Sequence, residues 1–270
     1  MKAYAKLNLL LHIINKRDDG YHNLQMINCK IDLFDNIYIN RNNKKIDTIE
    51  CTNINNYICD DNNLILKVVK EFKLRYNIDV YSDIIIEKHI PCGSGLGGVS
   101  MDVGEVLKFI IKDNNLNVSI DELINFTKAY GADIPYSFTD KPAIVEGIGD
   151  VITEINLESK NMILIIPDIE VSTPLIFKNN RMYSKQMSHI DLINEITKGN
   201  RTNDLTTSTR YIYEEFDKLI KELEPYGNVV MSGSGSSITL EANDDIDIVV
   251  NKLKNKFKKF KILKINTKEG

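Results

Sequence analysis

No two of the four cysteines in this 270-residue chain stand in C-x-x-C spacing. Cys29, Cys51, Cys59 and Cys92 are scattered, which argues against a structural zinc site. No run reaches the ~18 apolar residues that a membrane-spanning helix needs. The opening stretch, MKAYAKLNLLLHIINKRDDGYH, carries a short apolar run but no small-residue cleavage site, so it does not read as a signal peptide. Positive charge is not in excess either: 34 Lys and Arg stand against 38 Asp and Glu, a formal charge of −4. That balance disfavours a nucleic-acid partner held by phosphate neutralisation. The one basic run, Lys252 to Lys264, reads as a solvated helix face and a following strand. These absences leave a reduced, cytoplasmic protein with neither a membrane nor a nucleic acid as partner.

What is present is a mixture of strand and helix patterns. Residues 3–14, 26–42 and 83–90 read as strands, and 63–76 and 100–114 as helices by their apolar spacing. Ser119 with Glu122 is a capping box that opens a helix over 119–131, which Gly131 suits as its end. Residues 142–155 read as a hairpin and 161–171 as a buried strand. Helices follow at 189–198 and 209–224, then strand, glycine turn and strand over 227–242, a helix and a last strand. Such mixing predicts an α+β or α/β protein. Element order suggests a boundary near residue 157, with one domain over 1–156 and another over 157–270.

The most informative stretch is IPCGSGLGGVSMD, residues 90–102, with four glycines in six residues. Gly93, Gly95 and Gly98 satisfy G-x-G-x-x-G, a weak signal by itself. The dinucleotide reading fails because a second helix, not a second strand, follows. No Gly-Lys-Ser/Thr follows, so it is not a Walker A loop. GVSMD lacks the closing glycine of a nucleophile elbow. What remains is strand, glycine turn and helix. Glycines let the backbone approach a ligand closely, and the helix start offers free N–H groups. That combination suits a phosphate. A second cluster, SGSGSS at 232–237, reads as a hairpin turn or as a second backbone wall for a nucleotide.

In chain order stand AKLNLLLHI, DGYHNLQMI, PCGSGLGGVSMD, GADIPYSF, AIVEGIGD, VSTPLIF, NDL and MSGSGSS. This series resembles the galactokinase, homoserine kinase, mevalonate kinase and phosphomevalonate kinase (GHMP) superfamily. AKLNL, DGYH and GADIP together resemble its 4-diphosphocytidyl-2-C-methyl-erythritol kinases. The resemblance covers about residues 3–240. It implies an α+β fold of two domains, an N-terminal one like domain 2 of ribosomal protein S5 and a ferredoxin-like C-terminal one. It also implies ATP with Mg²⁺ as phosphoryl donor and the 2-hydroxyl of 4-diphosphocytidyl-2-C-methyl-erythritol as acceptor, in the non-mevalonate isoprenoid route. A monomer and a homodimer both stay open.

The same resemblance implies roles for single residues. Lys6 and Asp133 match the catalytic lysine and aspartate. Asn8, Tyr21, His22 and Thr173 match substrate contacts, Tyr21 and His22 at the cytosine. Pro91, Gly93, Ser94, Gly95, Leu96, Gly97, Gly98, Val99 and Ser100 match the triphosphate cradle. No residue is nominated as a metal ligand. Chemically, a carboxylate within about 3 Å of a hydroxyl could accept its proton. A lysine near it would keep it ionised and favour the developing alkoxide. The residues alone equally allow Lys6 to snorkel at a strand end and Asp133 to cap the turn before Pro135, which is expected to force an extended conformation. Likewise Tyr21 and His22, after an Asp19-Gly20 turn, could be packed loop aromatics. His12, His89 and His189 belong to no motif and read as structural.

The chain departs from the family pattern G-L-G-G-G-S-S-N-A-A. Val99 stands for a glycine, Met101 for a serine, Asp102 for an asparagine, and Val103 and Gly104 for two alanines. A β-branched Val99 would resist positive φ, and Asp102 would bring negative charge toward phosphates. Two alternatives therefore stay open: another kinase of the superfamily, of homoserine or mevalonate type, and a nucleotide-binding regulator that has lost catalysis.

Overall fold

A computed structural model describes residues 1–54 and 57–269. The backbone falls into two compact units, one of residues 1–5, 33–92 and 97–140, the other of residues 6–32, 93–96 and 141–270. Strands β1 (Lys2–Lys16) and β2 (His22–Asn42) pair with each other and contribute to both. The expected α+β class holds.

In the first unit β2 pairs antiparallel with β4 (Tyr81–Glu87), from Asn36 opposite Glu87 to Asn42 opposite Tyr81. Strand β3 (Thr48–Cys51) lies parallel to β4. After Glu87, where strand β4 ends, the backbone N–H groups go to side chains instead of a ladder: that of Lys88 to Asn53 Oδ1 and those of His89 and Ile90 to the Asp35 carboxylate. Helix α1 (Leu64–Arg75) starts at Asn63, whose side chain accepts from the N–H groups of Ile65 and Leu66, a normal use of asparagine at that position. Its buried Ile65, Val68, Val69 and Phe72 pack toward α2 (Gly98–Asp113), which buries Met101, Val103, Val106, Leu107 and Ile110. Helix α3 (Ile120–Thr127) opens with the expected Ser119–Glu122 capping box.

Two local expectations are corrected here. Helix α3 ends at Thr127, four residues before Gly131. The Thr127 hydroxyl bonds back to the Leu123 carbonyl at 2.7 Å, and Tyr130 N–H closes a turn on the Thr127 carbonyl at 2.9 Å. Nor does Pro135 force an extended chain. Ile134 is helical, at φ −66° and ψ −42°, and Pro135 opens a single 3₁₀ turn, Pro135–Phe138. Proline fits a first helical position because the N–H it lacks has no partner there anyway. The turn is held by Ser137, whose backbone N–H and hydroxyl both donate to the Ile134 carbonyl.

In the second unit β2 pairs with β5 (Ala143–Gly147), from Leu24 opposite Gly147 to Asn28 opposite Ala143, and β5 pairs with β6 (Val151–Glu154) as the expected hairpin. A four-stranded antiparallel sheet follows, made of β7 (Asn161–Ile166), β8 (Gly227–Met231), β9 (Ile238–Ala242) and β10 (Lys261–Asn266), in the order β10-β7-β9-β8. Its helices are α4 (Thr173–Lys178), α5 (His189–Thr197), α6 (Leu205–Ile212), α7 (Glu214–Leu223) and α8 (Ile246–Lys256). The basic run falls on α8 and β10, as expected. Strand β7 stops at Ile166, before Pro167, and not at 171.

The helix expected over 209–224 is two. Tyr213 takes an extended conformation, φ −114° and ψ 95°, between α6 and α7, and its hydroxyl accepts the Ser172 N–H at 2.8 Å. In VSTPLIF, Ser172 caps α4 through the Leu175 N–H, with Pro174 in the first turn.

Gly104 of α2 meets the 3₁₀ turn of the first unit so closely that an added Cβ would lie 1.8 Å from the Ser137 hydroxyl. Gly104→Ala should therefore destabilise the protein by about 1–3 kcal/mol, the usual cost of overpacking. Thermal unfolding measures it, and Gly104→Ala with Ser137→Gly should recover most of the loss. A stable single variant would contradict this packing.

Candidate active site

The turn between β4 and α2 has two halves. Gly93, Gly95 and Gly97 all take left-handed φ, of +68°, +77° and +68°. In the first half, a Cβ on Gly95 would lie 2.3 Å from the Ser232 carbonyl oxygen and 2.8 Å from that of Gly235. Only glycine fits there. Ser232 Oγ donates to the Gly95 carbonyl at 3.2 Å, and the Ser237 N–H donates to the Ser94 carbonyl at 3.1 Å. The SGSGSS cluster is therefore both the turn joining β8 to β9 and a backbone wall against residues 93–96. In the second half, Gly97 is the N-cap of α2 and no side chain caps the helix. First-turn N–H groups have no partner within a helix, and their dipole end favours an anion.

The departures at 99–104 have structural reasons. Val99 is the second residue of α2 and helical. The left-handed position belongs to Gly97, so the β-branch meets no conformational conflict, contrary to the expectation. Met101 and Val103 are core residues of α2. Asp102 does not add free negative charge: it is buried, and Lys88 Nζ donates to its Oδ2 at 2.7 Å and to Asp35 Oδ2 at 2.5 Å. Burial pushes the Asp102 carboxyl up to about 7 against the pull of Lys88. Burial alone would lower Lys88, but the charges of Asp102 and Asp35 raise it above the ordinary lysine value. Gly104 is dictated by Ser137.

Lys6 lies on β1 with only 3% of its surface exposed. Its Nζ donates to Asn8 Oδ1 at 2.8 Å, and its backbone N–H donates to the Leu96 carbonyl at 3.0 Å. Asn8 is oriented in turn. Its Nδ2 donates to Asn28 Oδ1 at 2.7 Å and approaches Met26 Sδ at 3.4 Å, and its N–H reaches Ser232 Oγ at 3.4 Å. A Cβ on Gly233 would stand 3.5 Å from Lys6 Nζ. Asn203 Nδ2 fixes this turn by donating to the carbonyls of Met231 and Gly233, both at 2.8 Å. Lys6, Asn8 and the segment 93–96 are thus joined within the second unit.

Thr173, at the start of α4, shares a 2.6 Å hydrogen bond with Ser234 Oγ. His22 is buried, its ring 5.3 Å from that of Phe177, whereas Tyr21 is 60% exposed beyond the Asp19-Gly20 turn. Burial and the charge of Lys16 lower the His22 pKa, so its ring is neutral near pH 7. Asp133 is half-buried in the first unit, in the segment between α3 and the 3₁₀ turn. His12 and His189 bond Thr202 and Glu146, and the His89 N–H bonds Asp35, which agrees with structural roles. Sequence reasoning gave no role to Asn28, Ser232, Asn203, Ser234 or Phe177. NDL and SGSGSS offered a signal for Asn203 and the two serines, and VSTPLIF for Phe177. The asparagine on β2 had none.

Comparison with known proteins matches residues 63–147 to the GHMP kinases N terminal domain and residues 185–259 to GHMP kinases C terminal. The 4-diphosphocytidyl-2-C-methyl-D-erythritol kinase of Francisella philomiragia is 37% identical over 246 residues, 90% of this chain and 87% of that protein. The one from Clostridium beijerinckii is 34% identical over 274 residues, 96% of each. A crystal structure of 4-(cytidine 5'-diphospho)-2C-methyl-D-erythritol kinase has a TM-score of 0.82 at 22% identity, covering 100% of this chain and 99% of its own. Methanococcus jannaschii mevalonate kinase has a TM-score of 0.70 at 15% identity, covering 100% and 98%. The chain thus has the two-part GHMP kinase fold.

Gly97→Val should weaken ATP binding about tenfold or more, while Val99→Gly should change it less than about threefold; about 1.4 kcal/mol corresponds to each factor of ten. Calorimetric titration decides, and equal losses in both variants would contradict the assignment of the left-handed position. The lowered His22 pKa gives a second expectation. Below about pH 6.5 the unfolded chain takes up the proton more readily than the folded one, so stability falls as pH drops. His22→Asn should flatten the fall between about pH 7 and pH 5. An unchanged slope in that variant would contradict a buried, neutral ring.

Proposed function

We propose, for a chain that belongs to the 4-diphosphocytidyl-2-C-methyl-D-erythritol kinases of the GHMP superfamily, that it transfers the γ-phosphoryl group of ATP to the 2-hydroxyl of 4-diphosphocytidyl-2-C-methyl-D-erythritol. The observation that carries this reading is the buried Lys6 ammonium, which donates to Asn8 Oδ1 at 2.8 Å and stands beside the SGSGSS turn, where a Cβ on Gly233 would lie 3.5 Å from it. A lysine is rarely buried unless it is given partners, and this one shares its strand with the backbone contact to the glycine loop.

In this reading Asp133 accepts the proton of the acceptor hydroxyl. The hydroxyl oxygen forms a bond to the γ-phosphorus as the bond from that phosphorus to the bridging oxygen of ADP breaks. Lys6 offsets the negative charge that develops. Residues 93–100 hold the triphosphate through backbone N–H groups, and Pro91, which has no N–H to offer, shapes the entry to the turn. Positioning and charge stabilisation of this kind account for most phosphoryl-transfer catalysis. Asn8, Tyr21, His22 and Thr173 hold the acceptor, with His22 and Tyr21 at its cytosine. A neutral His22 can both donate and accept at a base edge.

Mg²⁺ when bound would neutralise phosphate charge. Among the described residues no group of three or more His, Cys, Asp or Glu stands together as a cage. Mg²⁺ usually keeps several waters and is held by substrate phosphates with only one or two carboxylates. Localisation in the cytoplasm, as a monomer or homodimer acting in the non-mevalonate route, completes the reading. Among the described residues no helix is long and apolar enough to cross a membrane. The regulator alternative rested on residues 99–104, and their structural reasons remove its support.

Asp133→Asn should lower kcat by about 10²–10⁴-fold, the usual worth of general-base assistance, with substrate affinity little changed. Lys6→Met should lower kcat as well. If the two residues act as one unit, the double variant should lose little more than the worse single one. Single-turnover phosphoryl transfer, with circular dichroism to check folding, measures all four proteins. A folded Asp133→Asn protein with a near wild-type rate would remove Asp133 from the mechanism.

A further inference from the structure

We propose that Lys88 is a positioning residue for the nucleotide loop, a role that rests on reading residues 91–100 as the ATP cradle. The first unit buries two carboxylates and an ammonium together. Lys88 follows β4, immediately before the loop. Asp102 lies in the second turn of α2, immediately after it. Lys88 Nζ reaches Asp35 Oδ2 at 2.5 Å and Asp102 Oδ2 at 2.7 Å, with side-chain exposures of 1% for Lys88 and 0% for both aspartates. Asp35, on β2, also takes the backbone N–H groups of His89 at 2.5 Å and Ile90 at 2.8 Å through its other oxygen. The Lys88 backbone is fixed independently: its N–H donates to Asn53 Oδ1 at 2.9 Å, and its carbonyl accepts from Asn53 Nδ2 at 2.7 Å. The chain before the loop is thus pinned at three consecutive residues. The ammonium carries that fixed point across to α2.

Stability alone does not explain the arrangement. Desolvating three charges is costly, and apolar side chains of similar volume often serve a core as well or better. Here Asp102 Oδ1 is buried without a hydrogen-bond partner, which adds to that cost. What the ions supply is direction. Charge-assisted hydrogen bonds are short and angular, so the tie sets where the α2 N-terminus points. Its uncapped N–H groups are the ones offered to phosphate. Gly98 belongs to the same device: a Cβ there would lie 3.3 Å from Lys88 Nζ and 2.9 Å from Ile90 Cγ2, so the glycine admits the lysine under the first turn of the helix. A lysine this deeply enclosed acts on ATP only through the helix that it orients.

The test compares wild type, Lys88→Met, Asp102→Asn and the triple variant Asp35→Asn, Lys88→Met, Asp102→Leu. The triple variant removes all three charges while an asparagine at 35 can still accept from His89 and Ile90. Calorimetry measures the Kd of a non-hydrolysable ATP analogue and, separately, of the cytidine diphosphate acceptor; thermal unfolding reports stability. The triple variant should stay folded yet bind the analogue about tenfold or more weakly, with acceptor affinity within about threefold. Lys88→Met should lose analogue affinity similarly, and Asp102→Asn, which keeps an acceptor oxygen for Lys88, should stay within about threefold. A folded triple variant with wild-type analogue affinity would overturn the positioning role. So would an Asp102→Asn loss as large as that of Lys88→Met. Failure of the wild type itself to bind the analogue would overturn the ATP reading, and the positioning role with it.

Discussion

Much of the proposed site depends on the approach of Gly95 to the carbonyls of Ser232 and Gly235, so close that a single added carbon would lie 2.3 Å from the nearer oxygen. That contact lets Ser232 bond both the Gly95 carbonyl and the Asn8 N–H. Through it the first half of the loop, the β8–β9 turn and β1 hold one another in register. The Lys6 backbone bonds to Leu96 one step along the same chain. A side chain at position 95 would part the turn from the loop and loosen the amide network that faces the Lys6 ammonium.

The charged groups are handled in two ways. Lys6 is kept near a neutral amide whose own orientation is set by Asn28, because an Asn8 rotated by half a turn would present its NH₂ to the ammonium and lose the bond. Lys88 sits between two carboxylates and is removed from solvent altogether. Asn8 sets where the Lys6 ammonium stands. The carboxylates of Asp35 and Asp102 fix the Lys88 charge permanently, which suits support better than chemistry.

Much of this was legible in the sequence, and for physical reasons. Strong periodicity gave α1, α2 and the strands, and Ser119 with Glu122 gave the capping box. Four glycines in six residues exceeded what a simple turn needs. What misled was local chemistry overridden by context. Pro135 was read as forcing an extended chain, but at a first helical position it closes a 3₁₀ turn. Val99 was read as occupying a left-handed position, but the helix begins one residue after Gly97. Asp102 was read as a liability for phosphate binding, because its partners Asp35 and Lys88 lie 67 and 14 residues away, beyond any periodic pattern. Asn28 was invisible for the same reason. Its role exists only once β2 brings it to Asn8.

The account claims that the chain is a kinase for one cytidine-linked tertiary alcohol. ADP release measured with 4-diphosphocytidyl-2-C-methyl-D-erythritol, mevalonate, homoserine and no acceptor tests this most directly. The account predicts rapid, ATP-dependent release with the first alone, accompanied by a new phosphomonoester on that substrate. Release with mevalonate or homoserine instead, or no release above the acceptor-free rate, would contradict it.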